Sequence, residues 1–355
     1  MHRQSTRWLW PALALLLAAV PVAGAAGAKG AGKSLTGTAD PEVDRRLFES
    51  NRKGTRLFYD DRFHRAIEAF ERSIRIDPES PTGHVLLAGT YQAMMSEYRN
   101  RRYLRAMRRH LDQAIALAEK RIDAGEELGR TYEFLGAAYG NLGLYHYLQK
   151  NWFRAFRAGR NLSAALQEGL RLRPEIADSD YGYGFFLYWR TIKASIFKWL
   201  AGGDQRANGI RRLQRTVARG EICGDLARQS LMGVYLQEER YDDLHRVAGE
   251  LNRSYPGGIT QDWWQGRAYV AQRNWPAARR THESVFRKLK LKRFHSTEAL
   301  VEARYFIALS DARTGDRGSA REHLRWILTK EGKVDDDLWL GPDYIELAEE
   351  LLDSL

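Results

Sequence analysis

One string in the sequence matches a catalytic motif letter for letter. Residues 27–34, GAKGAGKS, fit the pattern G-x-x-x-x-G-K-[ST] of nucleotide-binding loops. Such a loop binds phosphates with backbone amides and a lysine, and it requires a buried strand before it and a helix after it. Here the preceding apolar run has the features of an export signal, and no parallel-sheet pattern follows. The string is therefore predicted to be linker, and no nucleotide or other cofactor is expected.

Other groups that could carry catalysis are scattered along the chain. The nine histidines include no pair at metal-ligand spacing with a nearby carboxylate, and no Gly-x-Ser-x-Gly elbow is present. The single cysteine, Cys223, can form no intramolecular disulfide, and it is expected to be a small apolar group rather than a nucleophile. The sequence therefore predicts neither a metal site nor an enzyme.

Positive charge is the strongest polar feature. The chain has a formal net charge of +11, and four arginines fall on one side of a predicted helix: Arg101, Arg105, Arg108 and Arg109. A second basic run contains Lys288, Lys290, Lys292 and Arg293. Two interpretations stay open for these residues. They form solvated helix faces, or they dock to an anionic membrane surface or an acidic protein.

The first residues have the layout of a secretory signal. Arg3 and Arg7 precede an uncharged run that ends in small residues near Ala28. We therefore predict a signal peptide over residues 1–28, a flexible linker over 29–40 and export to the periplasm, where nucleic acid is not an expected partner. The alternative is an uncleaved anchor in the inner membrane, although the strongly apolar core is shorter than a typical spanning helix.

The rest of the chain reads as a succession of amphipathic helices. Segments of about 12 to 20 residues with helical spacing of apolar groups are separated by Gly, Pro or Asp turns, and no convincing strand pattern occurs. The predicted fold class is all-α over residues 41–355. The histidines at 64, 110, 245, 282 and 323 are expected on the second helix of each helical pair.

Self-comparison shows a period of 34 residues. Residues 47–80 place Gly54 at position 8, Ala66 at position 20, Phe70 at position 24 and Pro78 at position 32. Similar repeats begin at Asp225, Ile259 and about Val301. In the middle of the chain Leu135-Gly136 matches positions 7 and 8, but the small residue expected at position 20 comes seven residues late. Longer helices are predicted there.

These repeats resemble the tetratricopeptide-repeat superfamily. The resemblance implies a right-handed superhelical solenoid of antiparallel helix pairs, closed by a capping helix predicted over Pro342–Leu352. It also implies that positions 2, 5, 9, 12 and 13 of each first helix line a concave groove that binds partners. On the best-matched repeats these positions give Asn51, Thr55, Tyr59, Gln229, Gln237, Trp263, Arg267, Tyr305 and Arg313.

A groove with amides, arginines and a tryptophan suits an extended peptide or an acidic segment. The leading hypothesis is a non-catalytic scaffold that binds a protein or peptide in the bacterial cell envelope. The alternative is a small-ligand-binding accessory subunit of an envelope transport system, in which the long helices between Tyr132 and Trp189 would enclose a pocket.

Overall fold

A computed structural model describes most of the chain after the predicted signal. The described residues are 36, 38, 40–126, 128–174, 177–193, 203–220, 223–292, 296–334 and 342–355. Over these ranges the secondary structure is helical, with no strand. The all-α prediction is confirmed. The predicted signal, most of the linker and the string at residues 27–34 lie outside the described residues.

The described residues contain seven helical pairs and a final single helix. The first helix of each pair is called helix A and the second helix B. The pairs are α1 Pro41–Tyr59 with α2 Phe63–Ile76, α3 Thr82–Tyr98 with α4 Leu104–Asp123, α5 Leu128–Leu148 with α6 Trp152–Leu172, α7 Ser179–Lys193 with α8 Arg206–Arg219, α9 Gly224–Gln237 with α10 Tyr241–Ser254, α11 Thr260–Ala271 with α12 Trp275–Leu291, and α13 Thr297–Thr314 with α14 Arg317–Leu328; α15 Tyr344–Asp353 follows.

The two helices of a pair have different apolar patterns. In the B helix α2 the buried residues Phe63, Ala66, Ala69, Phe70 and Ser73 recur at the three- and four-residue spacing of a single face. In the A helix α13, by contrast, an almost continuous run is buried from Val301 to Asp311. Within these two repeats the A helix α13 is buried on most sides, whereas the B helix α2 is buried on one face. The predicted histidines all fall on B helices, as expected.

Side-chain caps set the starts of some of the described helices. Asp343 accepts hydrogen bonds from the backbone amides of Ile345 and Glu346, so α15 begins at Tyr344. The predicted capping helix is present, but Pro342 lies before its cap rather than in its first turn. The predicted basic helix is also shorter than expected, because α4 begins at Leu104, without a side-chain cap, and leaves Arg101 in the preceding turn.

Six of the turns from helix A to helix B share one backbone geometry. In each, a residue with positive φ follows the helix, and the next amide donates to the carbonyl five residues earlier, as in a Schellman turn. The residue with positive φ is glycine in one turn only. The six are Asp61, Arg99, Lys150, Glu239, Arg273 and Gly315. A recurring turn supports the repeat assignment even where helix lengths differ.

Glycines bring the two helices of a pair into close contact. A Cβ added to Gly54 would lie 2.3 Å from Cε1 of Phe70, and one added to Gly266 would lie 2.6 Å from Nε2 of His282. Both pairs are 16 residues apart. In the middle of the chain the equivalent contact joins Gly136 to Leu166, where the distance would be 2.6 Å. The partners are 30 residues apart there, because α5 and α6 are both 21 residues long. The predicted lengthening is confirmed.

The described residues divide into two compact units. The first unit comprises residues up to Gln92 together with Tyr103–Leu231, and the second comprises Ala93–Arg102 together with Met232–Leu355. The core of the second unit contains Trp263, Phe306, Leu324 and Tyr344. None of the described helices has the length and apolar character needed to cross a bilayer.

Candidate functional site

The second unit contains a buried cluster of three charged side chains. Glu302 on α13 accepts a hydrogen bond from Nη2 of Arg267 on α11 at 2.7 Å. Its other carboxylate oxygen, Oε2, accepts a hydrogen bond from Nε of Arg99, which lies in the turn after α3. All three residues are buried. One carboxylate is therefore shared between two guanidinium groups, and this set is called the ionic cluster.

The backbone around Arg99 positions its side chain. Arg99 has a φ of 56°, the left-handed conformation that ends α3 in the shared turn geometry. The hydroxyl of Ser296 donates to the carbonyl oxygen of Tyr98 and accepts from the amide of Ala299 at 3.1 Å, so it caps α13. The turn that carries Arg99 is thus attached to the start of the helix that carries Glu302.

Aromatic rings surround the ionic cluster. The guanidinium carbon of Arg99 lies 4.8 Å from the centre of the Trp263 ring, within cation–π range. The Tyr344 ring centre lies 5.4 Å from that of Tyr305 and 5.8 Å from that of Phe306. Burial raises the pKa of Tyr344 well above its usual value, and the nearby carboxylate of Glu302 raises it further. The phenol therefore stays neutral beside the cluster.

The protonation states follow from the geometry. Burial alone would raise the pKa of Glu302, but Arg99 and then Arg267 outweigh it and lower that pKa to about 2. Burial opposes the charge on Arg267, while Glu302 raises its pKa. Glu302 and Arg267 are therefore charged at neutral pH. Two guanidinium groups and one carboxylate give the ionic cluster one excess positive charge.

Arg267 has hydrogen-bonding capacity that the described residues do not use. Its Nη2 is bound to Glu302, whereas its Nε and Nη1 have no hydrogen-bond partner among the described residues. A buried guanidinium with free donors is costly to leave unpaired and matches a carboxylate in shape. The chemistry available at this position is recognition of an anionic group.

The predicted groove residues are distributed over both units. Six are buried, Gln229 and Gln237 are half-buried, and Arg313 is exposed. The structure places Arg267 in the ionic cluster, Trp263 against Arg99 of that cluster, and Tyr305 against Tyr344. The three on α1 belong to the first unit; there the hydroxyl of Thr55 donates to the carbonyl of Asn51 at 2.8 Å. Contact of any of these residues with a partner stays a prediction.

Three important members of the site were not predicted from the sequence: Arg99, Glu302 and Tyr344. Glu302 could have been predicted from the repeat pattern. It is position 2 of the repeat that begins at Val301, and position 2 is one of the positions that the resemblance assigns to the groove. No spacing signal exists for Arg99, since it meets Glu302 across 203 residues of sequence.

The predicted basic surface is only partly a helix face. Arg105 and Arg109 are exposed on α4, while Arg101 precedes the helix. Arg108 forms an ion pair of 2.7 Å with Asp112, and its guanidinium carbon lies 5.2 Å from the centre of the Tyr145 ring. The four arginines therefore have different environments, and their contact with an anionic surface stays a prediction.

The remaining reactive groups are held in structural roles. Cys223 is buried, and burial raises the pKa of its thiol well above the usual value, with Asp178 and Glu133 adding to the effect. Its backbone amide donates to Asp178 at 2.6 Å. Among the described residues no group of three or more His, Cys, Asp or Glu side chains is arranged to hold a metal ion.

The chain has a distant structural likeness to a protein of known structure. No protein family matches the chain, and no curated protein matches it. Among solved structures one similar chain is PilW, described as a widely conserved type IV pilus biogenesis factor. The TM-score is 0.42 and the identity 10%, over 88% of this chain and 100% of that one. Pilus biogenesis is the role of PilW.

Proposed function

We propose that this chain is a non-catalytic repeat scaffold of the bacterial cell envelope that binds an extended protein or peptide segment. An acidic side chain or a terminal carboxylate of the partner would pair with Arg267. Export is supported by the layout of residues 1–28, and the repeat architecture is one that commonly presents such a binding surface. Architecture alone does not establish function.

The observation that supports the proposal best is the unused Nε and Nη1 of buried Arg267. An approaching carboxylate would accept from Nη1 and neutralise the excess charge of the ionic cluster. Trp263, which packs against Arg99, offers an apolar surface beside that position. Because the cluster is buried, entry requires the turn that carries Arg99, or α15, to move aside.

The test measures binding of fluorescein-labelled peptides to the full chain by anisotropy. Peptides containing Asp or Glu are compared with matched peptides containing Asn or Gln. Arg267→Met should weaken binding of the acidic peptides by about tenfold or more, as expected for loss of a charge-assisted hydrogen bond. Arg313→Met is the control, because Arg313 is an exposed arginine of the same predicted groove.

Thermal unfolding of each variant shows whether the fold is retained. If wild-type protein binds acidic and amide peptides equally, or if Arg267→Met and Arg313→Met behave alike, the proposal is wrong. Recovery of the same partner by crosslinking in envelope extracts, and its loss in Arg267→Met, would extend the result to the natural ligand.

A further inference from the structure

Three large aromatic side chains protrude at the start of α6. Trp152 is 61% exposed, Phe153 is 78% exposed and Phe156 is 68% exposed. They are three of the four exposed large hydrophobic side chains among the described residues. Burial of such rings is normally favourable, so a cluster of them in solvent marks an interaction surface. These three residues are called the aromatic tip.

The aromatic tip is held in place by the turn between α5 and α6. Lys150 has a φ of 57°, and Asn151 caps α6 by accepting from the amide of Arg154 at 3.2 Å. The Trp152 ring packs edge-on against Tyr147, with 5.1 Å between ring centres. The rings therefore project from an ordered helix start rather than from an irregular loop.

Basic side chains share the exposed arc with the rings. At 100° per residue, Trp152, Phe156 and Phe153 span about 100° of α6, and Arg160, Arg157 and Arg154 continue that arc by about another 100°. The opposite side carries the buried residues Ala158, Leu162, Ala165 and Leu166. Aromatic and cationic groups thus form one continuous solvent-facing surface.

Acidic side chains are absent from this part of the sequence. Residues 134–167 contain no Asp or Glu, although they include Lys150 and three arginines. Arg108 on α4 adds to the same positive region. Burial is the largest cause of the lowered pKa of His146, and the charges of Arg108 and Arg154 lower that pKa further. Both guanidinium groups therefore lie near the His146 imidazole. Residues 152–167 of α6 therefore expose only positive charge beside an apolar centre, while an acidic side chain near His146, Asp112 on α4, is paired with Arg108 at 2.7 Å.

We propose that the aromatic tip and its arginines dock on a membrane surface that contains anionic lipids. Tryptophan and phenylalanine rings insert at headgroup level, while arginines pair with lipid phosphates. A bilayer surface offers apolar and anionic groups over a wide area and does not require one fixed orientation of each contact. That suits a helix start, residues 152–167, that has no acidic residue of its own. This site is separate from Arg267, and it does not depend on the proposed peptide binding.

The primary experiment uses a fluorescent probe next to the tip, because the apolar N-terminal segment of the full chain could bind lipid by itself. Cys223 is buried, so a cysteine introduced by Gln149→Cys can be labelled selectively with an environment-sensitive dye. The dye should shift to the blue with phosphatidylglycerol vesicles and not with phosphatidylcholine vesicles. The same dye at Arg219→Cys, an exposed site on α8, should not shift.

Substitutions then test the two components of the surface in the labelled chain. Replacing Trp152, Phe153 and Phe156 by Ser should weaken the vesicle-dependent shift by about tenfold or more in lipid concentration. Replacing Arg154, Arg157 and Arg160 by Ser should have a comparable effect that is smaller at high salt. The matched controls are Leu291→Ser, at an 83% exposed leucine, and Ser at the exposed residues Arg211, Arg219 and Arg317.

An unchanged dye at position 149 in the presence of anionic vesicles would overturn the proposal. So would a triple-serine variant that responds like wild type. A dye that responds to an added envelope protein but not to lipid would show that the surface binds protein instead. Peptide binding at Arg267 should be the same in all tip variants, so the two proposals fail independently.

Discussion

His282 is a fully buried imidazole in a position that another pair fills with phenylalanine. Its ring stacks on Phe306 with 4.6 Å between centres and an interplanar angle of 15°, and it approaches Gly266 as Phe70 approaches Gly54. Burial lowers its pKa to about 3, Glu302 opposes that shift, and Arg267 contributes a smaller effect in the same direction as burial. The folded protein therefore holds this histidine neutral well below its ordinary pKa.

His282→Phe should make the protein more resistant to acid. The unfolded chain takes up a proton on His282 below about pH 6.5 while the folded protein does not, so stability is lost between about pH 6.5 and 3. Phenylalanine removes that linkage, and the gain near pH 4 should be on the order of a few kcal/mol. Urea unfolding from pH 8 to pH 4 measures it. A variant whose profile parallels that of the wild type would contradict the assignment.

Sequence reasoning found part of the site at this scale. Trp263 and Arg267 were predicted because repeat positions 5 and 9 are read directly from the 34-residue period. Arg99 was not, since a contact across 203 residues leaves no local pattern. The aromatic tip was also missed, although a local signal existed in three rings and three arginines on one helical arc without an acid.

Glycines at the crossing points of the helical pairs are required by the packing. Gly54 faces the ring of Phe70 so closely that any Cβ would overlap it. Gly159 on α6 is a useful contrast, because a Cβ there would meet nothing within 4 Å. Glycine is thus required by the helix packing at position 54, whereas at position 159 it only lowers the stability of the helix.

Gly54→Ala should destabilise the protein by about 1 to 3 kcal/mol, because Phe70 must leave its position or the helices must separate. Gly159→Ala should stabilise it by about 0.5 to 1 kcal/mol, because alanine restricts the unfolded chain and favours helix. Both values come from chemical denaturation of single variants. Equal effects of the two substitutions would show that the close approach at Gly54 is not maintained in solution.

Most helices could be predicted from the sequence, and their ends less well. The period and the amphipathic patterns gave the pairs, including the longer ones in the middle of the chain. The starts of α4 and α15 differ from the predicted ones by two or three residues; the side-chain cap at Asp343 decides the first turn of α15, whereas α4 begins without a side-chain cap. The superhelical hand stays a prediction.

At the scale of the whole molecule, α15 closes the second unit. Tyr344 and Ala348 are its buried residues, and Tyr344 packs on Tyr305 and Phe306 of α13. Terminal repeats need such a cover, since an inner helix would otherwise expose its apolar face. The grouping of Ala93–Arg102 with Met232–Leu355 had no counterpart in the sequence, because the period describes only neighbouring repeats.

A chain that ends at Val334 should lose about 3 to 5 kcal/mol from the second unit, comparable to removal of a large buried aromatic side chain. Hydrogen exchange should show reduced protection in α13 and α14, with α1 and α2 unchanged. A chain that ends at Asp353 keeps all of α15 and serves as control. Uniform loss of protection over both units would contradict a local capping role.

The equal lengths of α5 and α6 determine how far the end of this helical hairpin projects. Both have 21 residues, whereas α9 and α10 both have 14. Seven residues are two helical turns, so the longer hairpin extends by about 10 Å without changing its closing turn or the pairing of its arms. Matched insertions of whole turns would therefore let a repeat array change how far a hairpin end projects while its packing stays in register. The hairpin lengthened in this way is the one that bears Trp152, Phe153 and Phe156.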